Sequence, residues 1–287
     1  MFKGCCTALI TPFDKKNRVN FKEMEKIIED QIEKGVSALL FLGTTGESPT
    51  LSFEEKVRIV KFAVDVINHR VPVIVGAGSN DTKKVIEIGN IYKKLGADAL
   101  LVVSPYYNKA TQEGLYLHYK TIAQNVNCPI YIYNVPSRTG INVEADTIVK
   151  LSAVPNIFGV KQANSNMQEL MDIKSGCTKN FAIYSGEDAL SYLMLTVGAK
   201  GTISVASNLF PKYVQSLCSD YFEGNHKKSF DMQLRLNPLI KQLFREVNPI
   251  PVKHGMNYIG YDVGLPRLPL TEMKNKEDLE KEIDRLK

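Results

Sequence analysis

Eight short apolar segments recur along the first two thirds of this chain, with longer stretches between them. The segments are residues 5–10, 38–42, 71–75, 99–103, 130–133, 157–160, 182–184 and 201–205. None shows clear alternation of polar and apolar residues, which is typical of parallel strands buried on both faces. Stretches with the periodicity of amphipathic helices lie between them, at residues 21–34, 53–68, 82–95, 113–126 and 187–197. Eight strand–helix units in series predict an α/β protein with a closed (β/α)8 barrel.

The last quarter of the chain lacks strand signals and is predicted to be helical. Helices are expected at residues 211–224, 226–246, 249–258 and 276–287. We therefore predict a barrel at residues 1–208 and a C-terminal helical region at residues 209–287 that packs on it. The alternative, an open nucleotide-binding sheet, requires a glycine-rich phosphate turn after an early strand. The nearest candidate, Gly76-Ala77-Gly78-Ser79-Asn80, lacks the third glycine at the required spacing.

Composition and charge exclude several classes of protein. Apolar residues make up 44% and charged residues 23% of the 287 residues, as in ordinary globular proteins with a large core. The net charge of +5 comes from 36 basic and 31 acidic residues spread along the chain, so no nucleic-acid partner is expected. No stretch approaches the about 20 apolar residues of a membrane helix, and the amino terminus lacks a signal-peptide core. We expect a cytoplasmic protein without membrane contact.

Cysteines and histidines give no sign of a metal site. The five cysteines are an odd number without zinc-type spacing, which fits a reducing compartment. None of the four histidines lies two to five residues from another histidine or a cysteine. A structural metal is therefore not expected.

Lys161 and Tyr133 each close an apolar segment that otherwise has the character of a buried strand. A buried ammonium group is costly to desolvate, so a lysine in such a place is usually paired, or kept neutral for covalent chemistry with a carbonyl. Taken alone, Lys161 fits equally well as a strand-end lysine whose amine reaches solvent. Tyr133 alone fits an interior tyrosine with one satisfied hydroxyl.

The carboxyl ends of the strands converge on one mouth of such a barrel, and catalytic groups lie there. The rule collects further candidates at the second, fourth, seventh and eighth strands: Thr44, Thr45, Tyr107, Gly186 and Ile203. A glycine-flanked Thr-Thr pair offers hydroxyls and backbone amides to a small carboxylate, although an isolated pair is more often only a turn. An amine nucleophile, a phenol and a carboxylate cradle together predict imine chemistry on a 2-oxo acid.

Three short motifs match the signature segments of a known enzyme superfamily. They are Gly43-Thr44-Thr45-Gly46-Glu47, Tyr131-Ile132-Tyr133-Asn134-Val135-Pro136 and Gly159-Val160-Lys161. In these segments, and over nearly its whole length, the chain resembles the dihydrodipicolinate synthase family of pyruvate-dependent class I aldolases. The turn 136–140 narrows the resemblance to the synthases, because sialic acid lyases lack an arginine at the position of Arg138.

The resemblance implies catalytic roles for four residues. Lys161 forms a Schiff base with pyruvate, and Tyr133 donates and accepts protons. Thr44 and Tyr107 relay protons, with Tyr107 reaching into the site of a neighbouring subunit of a homotetramer, a dimer of dimers. The implied reaction condenses pyruvate with L-aspartate 4-semialdehyde to 4-hydroxy-tetrahydrodipicolinate, the first committed step of diaminopimelate and lysine biosynthesis. It needs no external cofactor.

The resemblance also implies which residues bind the two substrates. Thr45 and the backbone of Ile203 hold the pyruvate carboxylate, and Gly186 lines the same pocket. Arg138 holds the carboxylate of aspartate semialdehyde. An isolated Arg138 would be a solvated turn residue, but a guanidinium fork at the mouth suits bidentate binding of a carboxylate.

Feedback inhibition by lysine is expected to be weak or absent. Inhibited members of the family bind lysine at the dimer interface through positions that correspond here to Ser48, Asn80 and Tyr106. Three neighbours depart from their pattern: Phe53, Lys56 and Lys84. Lys84 stands where inhibited members carry an acidic residue. Its positive charge would lie beside the ammonium group of a bound free lysine, which disfavours binding.

Two alternatives to the synthase stay open from the sequence. Another aldolase of the superfamily, acting on sialic acid or a sugar-derived 2-oxo acid, would share Lys161 and Tyr133 but not Arg138. A non-catalytic barrel that senses a small acid would not need an imine-forming amine. Borohydride trapping tests the second alternative, and retro-aldol assays test the first.

Overall fold

The computed structural model describes all 287 residues and confirms the predicted barrel. Eight parallel strands follow one another around it in sequence order, and the last pairs with the first. They are β1 (Gly4–Ala8), β2 (Ala38–Phe41), β3 (Val73–Gly76), β4 (Ala99–Val103), β5 (Ile130–Asn134), β6 (Ile157–Gln162), β7 (Ala182–Ser185) and β8 (Gly201–Ser204). Each predicted apolar segment contains one strand, with small shifts at the ends.

Helices connect the strands and cover the outside of the barrel. They are α1 (Phe21–Glu33), α2 (Phe53–Ile67), α3 (Thr82–Lys94), α4 (Gln112–Asn125), α5 (Pro136–Thr139), α6 (Ala145–Ser152), α7 (Met167–Gly176) and α8 (Ser191–Thr196). Short 3-10 helices occupy Ser48–Thr50, Asp188–Leu190 and Ala206–Asn208. The sequence analysis identified no stretch for α5, α6 or α7, because few helical turns leave a weak periodic signal.

Capping side chains begin several of these helices at the mouth of the barrel. The Ser52 hydroxyl accepts a hydrogen bond from the Glu55 backbone N–H at 3.2 Å, and the Glu55 carboxylate accepts one from the Ser52 N–H at 2.9 Å. This capping box starts α2. At α3, the Asp81 carboxylate accepts from the Lys83 N–H at 2.9 Å. These caps therefore fix the residues at which the loops of the mouth end and the helices begin.

The opposite end of the barrel is closed by aromatic side chains. The Tyr184 hydroxyl donates to the Phe2 carbonyl oxygen at 2.7 Å, and the two rings stack with centroids 4.2 Å apart. The Tyr131 ring meets the edge of Tyr184. A cavity of about 360 Å³ lies at this end, around Arg70 and Phe158. It is remote from the strand ends that carry the predicted site.

The C-terminal region forms four helices packed on the barrel. They are α9 (Pro211–Phe222), α10 (His226–Leu243), α11 (Ile250–Tyr258) and α12 (Glu277–Leu286). The Gln215 side-chain oxygen accepts from the Cys5 N–H of β1 at 2.9 Å. A single apolar cluster includes Leu236, Met256 and Ile283 together with the helices around the barrel. The boundary between residues 208 and 209 stays a prediction, but the two parts share one core.

The structure contains no disulfide, no membrane-spanning helix and no cluster of potential metal ligands. All five cysteines are free, and only Cys177 is not fully buried. None of the helices combines the length and apolar character required to span a bilayer. No three His, Cys, Asp or Glu side chains come together in a way that could hold a metal ion.

Candidate active site

Lys161 and Tyr133 face each other on adjacent strands at the mouth of the barrel. β5 and β6 pair in parallel, with Tyr133 opposite Lys161. Both residues are buried, with 6% of Lys161 and 7% of Tyr133 exposed. The Lys161 Nζ lies 4.4 Å from the centroid of the Tyr133 ring. The fold therefore places an amine over the face of a phenol ring at the mouth of the barrel.

Gly186, directly after β7, leaves room for the Lys161 side chain. A Cβ atom at this position would lie 3.0 Å from Cε of Lys161 and 2.7 Å from Cβ of Ala163. Any side chain here would therefore press against the stem of the amine. Ile203 on β8 belongs to the same interior cluster as Tyr133 and is also buried. The fold thus brings these predicted residues to one end of the barrel interior.

Two carboxylates lie between β7 and α8, close to the amine. The Asp188 Oδ2 accepts hydrogen bonds from the backbone N–H groups of Val205 at 2.8 Å and Ala206 at 3.0 Å. Burial raises the pKa of Glu187, Asp188 raises it further, and Lys161 opposes the shift. Burial also raises the pKa of Asp188, while its hydrogen bonds lower it. A cationic imine at Lys161 would therefore lie near carboxyl groups.

The loop after β2, residues 43–47, carries Thr44 and Thr45 to the mouth. Its turn is closed by the Glu47 N–H, which donates to the Thr44 carbonyl oxygen at 3.1 Å. Glu47 has a left-handed backbone, with φ of 54°. Thr45 is buried, and its Oγ1 accepts from Nδ2 of Asn248 at 3.0 Å. The C-terminal region therefore contacts the predicted carboxylate cradle directly.

A buried ion pair holds the end of this loop. The Lys253 Nζ donates to Oε1 of Glu47 at 2.8 Å, to the Thr11 carbonyl at 3.0 Å and to the Leu265 carbonyl at 3.1 Å. The other carboxylate oxygen of Glu47 accepts from the Arg267 N–H at 2.8 Å. Burial lowers the pKa of Lys253, and Glu47 counteracts this. All three ammonium hydrogens have acceptors, which a buried charge requires.

A cavity of about 400 Å³ opens beside these groups. Its wall includes the side chains of Thr44, Tyr133, Arg138 and Asn248. Arg138 is exposed at the rim, and its Nη2 donates to the Asn248 carbonyl oxygen at 3.4 Å. The guanidinium group is thus turned toward the mouth, with hydrogen-bonding capacity left for an anion.

Tyr107 is the one predicted catalytic residue that stands apart from the others. Its side chain is 93% exposed, while its neighbour Tyr106 lines the cavity. The backbone of Tyr107 is left-handed, with φ of 71°. The next residue, Asn108, anchors the loop by donating to the Asn80 carbonyl at 3.0 Å. Tyr107 therefore projects into solvent and does not line the cavity.

Asn248 and Lys253 are site-supporting residues that sequence analysis missed. Asn248 precedes a helix and carries no local signal. Lys253 is the lysine in the segment Pro249-Ile250-Pro251-Val252-Lys253, where its neighbours are apolar. A charge in an apolar helical stretch was a usable signal for a buried pair. Its partner Glu47 lies in the motif 43–47, whose sequence gives no sign of a buried ion pair.

Comparison with known proteins identifies the family. The model of the dihydrodipicolinate synthetase family matches residues 1–285. A 4-hydroxy-tetrahydrodipicolinate synthase from Acetivibrio thermocellus is 45% identical over 276 residues, covering 96% of this chain and 94% of that protein.

Solved structures agree with this assignment. The dihydrodipicolinate synthase of Thermotoga maritima superposes with a TM-score of 0.96 at 41% identity, covering 100% of this chain and 98% of the other. The chloride-inhibited enzyme of Acinetobacter baumannii, complexed with pyruvate, gives 0.97 at 39% identity, covering 99% of each chain. These matches confirm the predicted enzyme class and synthase function. The chain belongs to the dihydrodipicolinate synthetase family.

Proposed function

We propose that this chain condenses pyruvate with L-aspartate 4-semialdehyde through an imine on Lys161. The observation that carries the assignment is the buried Lys161 amine beside the Tyr133 ring, at the end of the barrel that opens to the cavity. Imine formation requires an amine that a carbonyl substrate can reach, and Lys161 places one at this end of the barrel. The pyruvate complex of the Acinetobacter relative supports pyruvate as the first substrate.

The first half of the proposed reaction activates pyruvate. The Lys161 nitrogen attacks the keto carbon, and the oxygen leaves as water after protonation, which yields a cationic imine. Loss of a methyl proton then gives an enamine. Tyr133 moves the protons in these steps, since its hydroxyl belongs to the ring nearest the amine. Thr45 and the backbone of Ile203 hold the carboxylate, with Gly186 lining the pocket.

The second half forms the new carbon–carbon bond. The enamine carbon attacks the aldehyde carbon, and the aldehyde oxygen becomes a hydroxyl group on protonation. The amino group of the semialdehyde then attacks the imine carbon and displaces Lys161, which closes the ring and frees the enzyme. Arg138 at the cavity rim holds the semialdehyde carboxylate in this proposal.

The proton relay requires a second subunit. Tyr107 is exposed in one subunit, and we assign its hydroxyl to the site of an adjacent subunit, where Thr44 links it to Tyr133. A left-handed backbone at a non-glycine residue costs free energy, and such strain is often retained at functional sites, which supports this role. The proposed assembly is a homotetramer, a dimer of dimers, located in the cytoplasm.

The assignment is tested by trapping the imine. The protein is incubated with pyruvate and borohydride, and the mass adduct is mapped by peptide sequencing. Formation of the ring product from aspartate semialdehyde is followed in parallel. We expect a reduced pyruvate adduct on Lys161 together with turnover of the semialdehyde. An adduct without that turnover would redirect the search to another acceptor, including products of sialic acid cleavage. Absence of any adduct would overturn the mechanism.

A further inference from the structure

A buried cluster of amide side chains lies directly behind the two proposed catalytic residues. Side chains alternate along a strand, so the residues that follow Tyr133 and Lys161 point away from the barrel interior. These residues are Asn134 and Gln162, and neither has measurable exposure. They meet Glu169, which is in the first turn of α7 and is 8% exposed. We call Asn134, Gln162 and Glu169 the bracing cluster.

One hydrogen bond in the bracing cluster joins the two strands side by side. Nδ2 of Asn134 donates to Oε1 of Gln162 at 3.1 Å, and Nε2 of Gln162 donates to Oε2 of Glu169 at 3.2 Å. Oδ1 of Asn134 accepts from the Val143 N–H at 3.0 Å. Each side-chain amide is therefore engaged through both its oxygen and its nitrogen.

Two outer asparagines complete the coordination of the Glu169 carboxylate. Nδ2 of Asn142 donates to Oε1 at 2.6 Å, and Nδ2 of Asn164 donates to Oε2 at 2.7 Å. No ion pair joins Glu169 to a cationic side chain, so its buried charge depends on amide donors. An apolar contact would fill this space at lower desolvation cost. Polar side chains in this buried space therefore point to a requirement other than stability.

The pairing of β5 and β6 supplies that requirement. The register of the two strands shifts between Ile130 and Tyr131: Ile130 pairs with Ile157, whereas Tyr131 pairs with Gly159. Phe158 has no partner and is 39% exposed. The amino-terminal half of the ladder therefore does not dictate the pairing of its carboxyl-terminal half. A slip of one residue would turn side chains to the opposite face.

We propose that the bracing cluster fixes the register that sets Tyr133 opposite Lys161. Asn134 and Gln162 are positioning residues in this assignment, because each acts through the catalytic residue next to it. The hydrogen bond between them has direction and a fixed length, so only one alignment of the strands satisfies it together with Glu169. The inference rests on the proposed roles of Lys161 and Tyr133.

The test removes the strand-to-strand bond while preserving volume. Gln162→Met deletes the cross-strand acceptor for Asn134 and the donor to Glu169, while the Asn134 amide keeps its acceptors at Asn142 and Val143. We expect kcat to fall about 10- to 100-fold, as reacting groups lose their alignment. KM for pyruvate should stay within about twofold, because its proposed carboxylate cradle lies on the loop after β2 and on β8, and the bracing cluster touches neither. The rate of borohydride trapping on Lys161 should fall with kcat.

Asn164→Leu is the matched control. It removes a donor to the same carboxylate, at a shorter distance than the Gln162 bond, but Asn164 does not link β5 to β6. If the cluster only stabilised the fold, both variants would lower the melting temperature and neither would change kcat well below it. We expect kcat of Asn164→Leu to stay within about threefold of the parent. Equal kcat losses in the two variants would overturn the proposal.

A charge exchange provides a rescue. Gln162→Glu places a second carboxylate against Glu169 and should lower kcat. Adding Glu169→Gln keeps an acceptor for Asn134 and a bond between positions 162 and 169, at the cost of the Asn164 bond. We expect the double variant to recover most of the lost kcat, and failure to recover it counts against the register role. If Gln162→Met does not fold, this pair decides the question. Failure of the parent enzyme to form a Lys161 adduct would instead reject the proposed function.

Discussion

The two sides of the active-site mouth are held by different kinds of contact. On the chemistry side, defined by Lys161 and Tyr133, the support comes from the adjacent strands and the amides behind them. On the binding side, defined by Thr45 and the loop 43–47 that holds it, the support comes from far along the chain. Asn248 is 203 residues from Thr45, and Lys253 is 206 residues from Glu47.

The difference reflects what each side must do. Proton transfer between an amine and a phenol tolerates little misalignment, and neighbouring strands of a barrel set such positions closely. A carboxylate cradle on a loop has no ladder to hold it, so it depends on contacts from outside the sheet. The buried pair of Glu47 and Lys253 supplies such a contact, together with the Thr11 hydroxyl, which donates to the Gly46 carbonyl at 2.7 Å.

The largest expected effect comes from removing the nucleophile on the chemistry side. Lys161→Ala should lower kcat/KM for ring formation by at least about 10⁴-fold, because the variant lacks the amine that forms the proposed imine. The pyruvate–borohydride adduct should disappear. Circular dichroism and melting temperature should stay close to those of the parent, which separates lost chemistry from lost fold. A pyruvate adduct trapped on this variant would remove Lys161 from the mechanism.

On the binding side, Lys253→Met should act mainly through stability and pyruvate affinity. Breaking a buried ion pair by removing one partner costs about 3–5 kcal/mol of unfolding free energy, because the other charge is left unpaired. KM for pyruvate should rise about tenfold, equivalent to about 1.4 kcal/mol. Urea titration and steady-state kinetics measure the two effects separately.

The double variant Glu47→Leu with Lys253→Met is the control for that experiment. Replacing both charges by apolar side chains removes the unpaired charge, so much of the stability should return. The raised KM should remain, because the loop still lacks its contacts to Lys253 and Arg267. Recovery of KM along with stability would mean that the pair does not orient the loop.

Lowering the pH should reduce the unfolding free energy of the whole fold, and so affect both sides of the mouth equally. The group responsible is His118, which belongs to neither side. His118 on α4 is buried, and burial lowers its pKa to about 4. In the unfolded chain this imidazole takes up a proton near pH 6.5. Stability from His118 is therefore complete above pH 6.5 and lost as pH falls toward 4, by roughly 3 kcal/mol.

The matched variant for this prediction is His118→Gln. Glutamine retains a partner for the Thr82 hydroxyl, which lies 2.9 Å from the imidazole Nδ1, but does not titrate. Unfolding free energy measured between pH 7 and 4 should fall less steeply than in the parent. An unchanged slope would show that other groups account for the acid loss.

A smaller effect is expected from Tyr107, the residue assigned to the proposed contact with a second subunit. Tyr107→Phe should lower kcat about tenfold, because the ring is retained while the relayed proton loses its hydroxyl. Sedimentation should give the same oligomer as the parent. Unchanged turnover in the same oligomer would exclude Tyr107 from the relay.

The smallest expected effect is the inhibition of turnover by free lysine, bound at the outer rim of the binding side. Ser48, Lys56 and Tyr106 all line the cavity, and burial lowers the pKa of Lys56. Millimolar lysine should change turnover by less than about twofold, because the cations at positions 56 and 84 repel an ammonium group. Lys84→Glu removes one of these charges and should increase any inhibition. Strong inhibition of the parent would reject the prediction.

Sequence patterns were sufficient for the barrel and for the residues at its strand ends. Lys161 and Tyr133 stood out because each ends an apolar run, and a barrel sends all such ends to one mouth. Arg138 required the family resemblance, since an arginine in an exposed turn carries no distinguishing local pattern. The contacts of Asn248 and Lys253 were not predictable, because both depend on how a distant helical region folds back.

The bracing cluster could not be predicted from the sequence for a different reason. Asn134 and Gln162 are visible in the sequence as polar residues at strand ends, and Glu169 as an acid near a helix start. Their meeting depends on the register of β5 and β6, which changes at Phe158. Alternation along a strand gives the face of each residue, but it does not reveal an unpaired residue in a parallel ladder.

The contacts from the C-terminal region also bear on the order of events during synthesis. A nascent chain folds from its amino terminus as it leaves the ribosome. All eight strands have been made once Ser204 is complete, whereas Asn248, Lys253 and Arg267 are still to be added. A ribosome-bound chain at that stage contains Lys161 but lacks the residues that hold the loop 43–47 in place. The pocket is therefore completed only after residues 248–267 have been made, well after the last strand of the barrel.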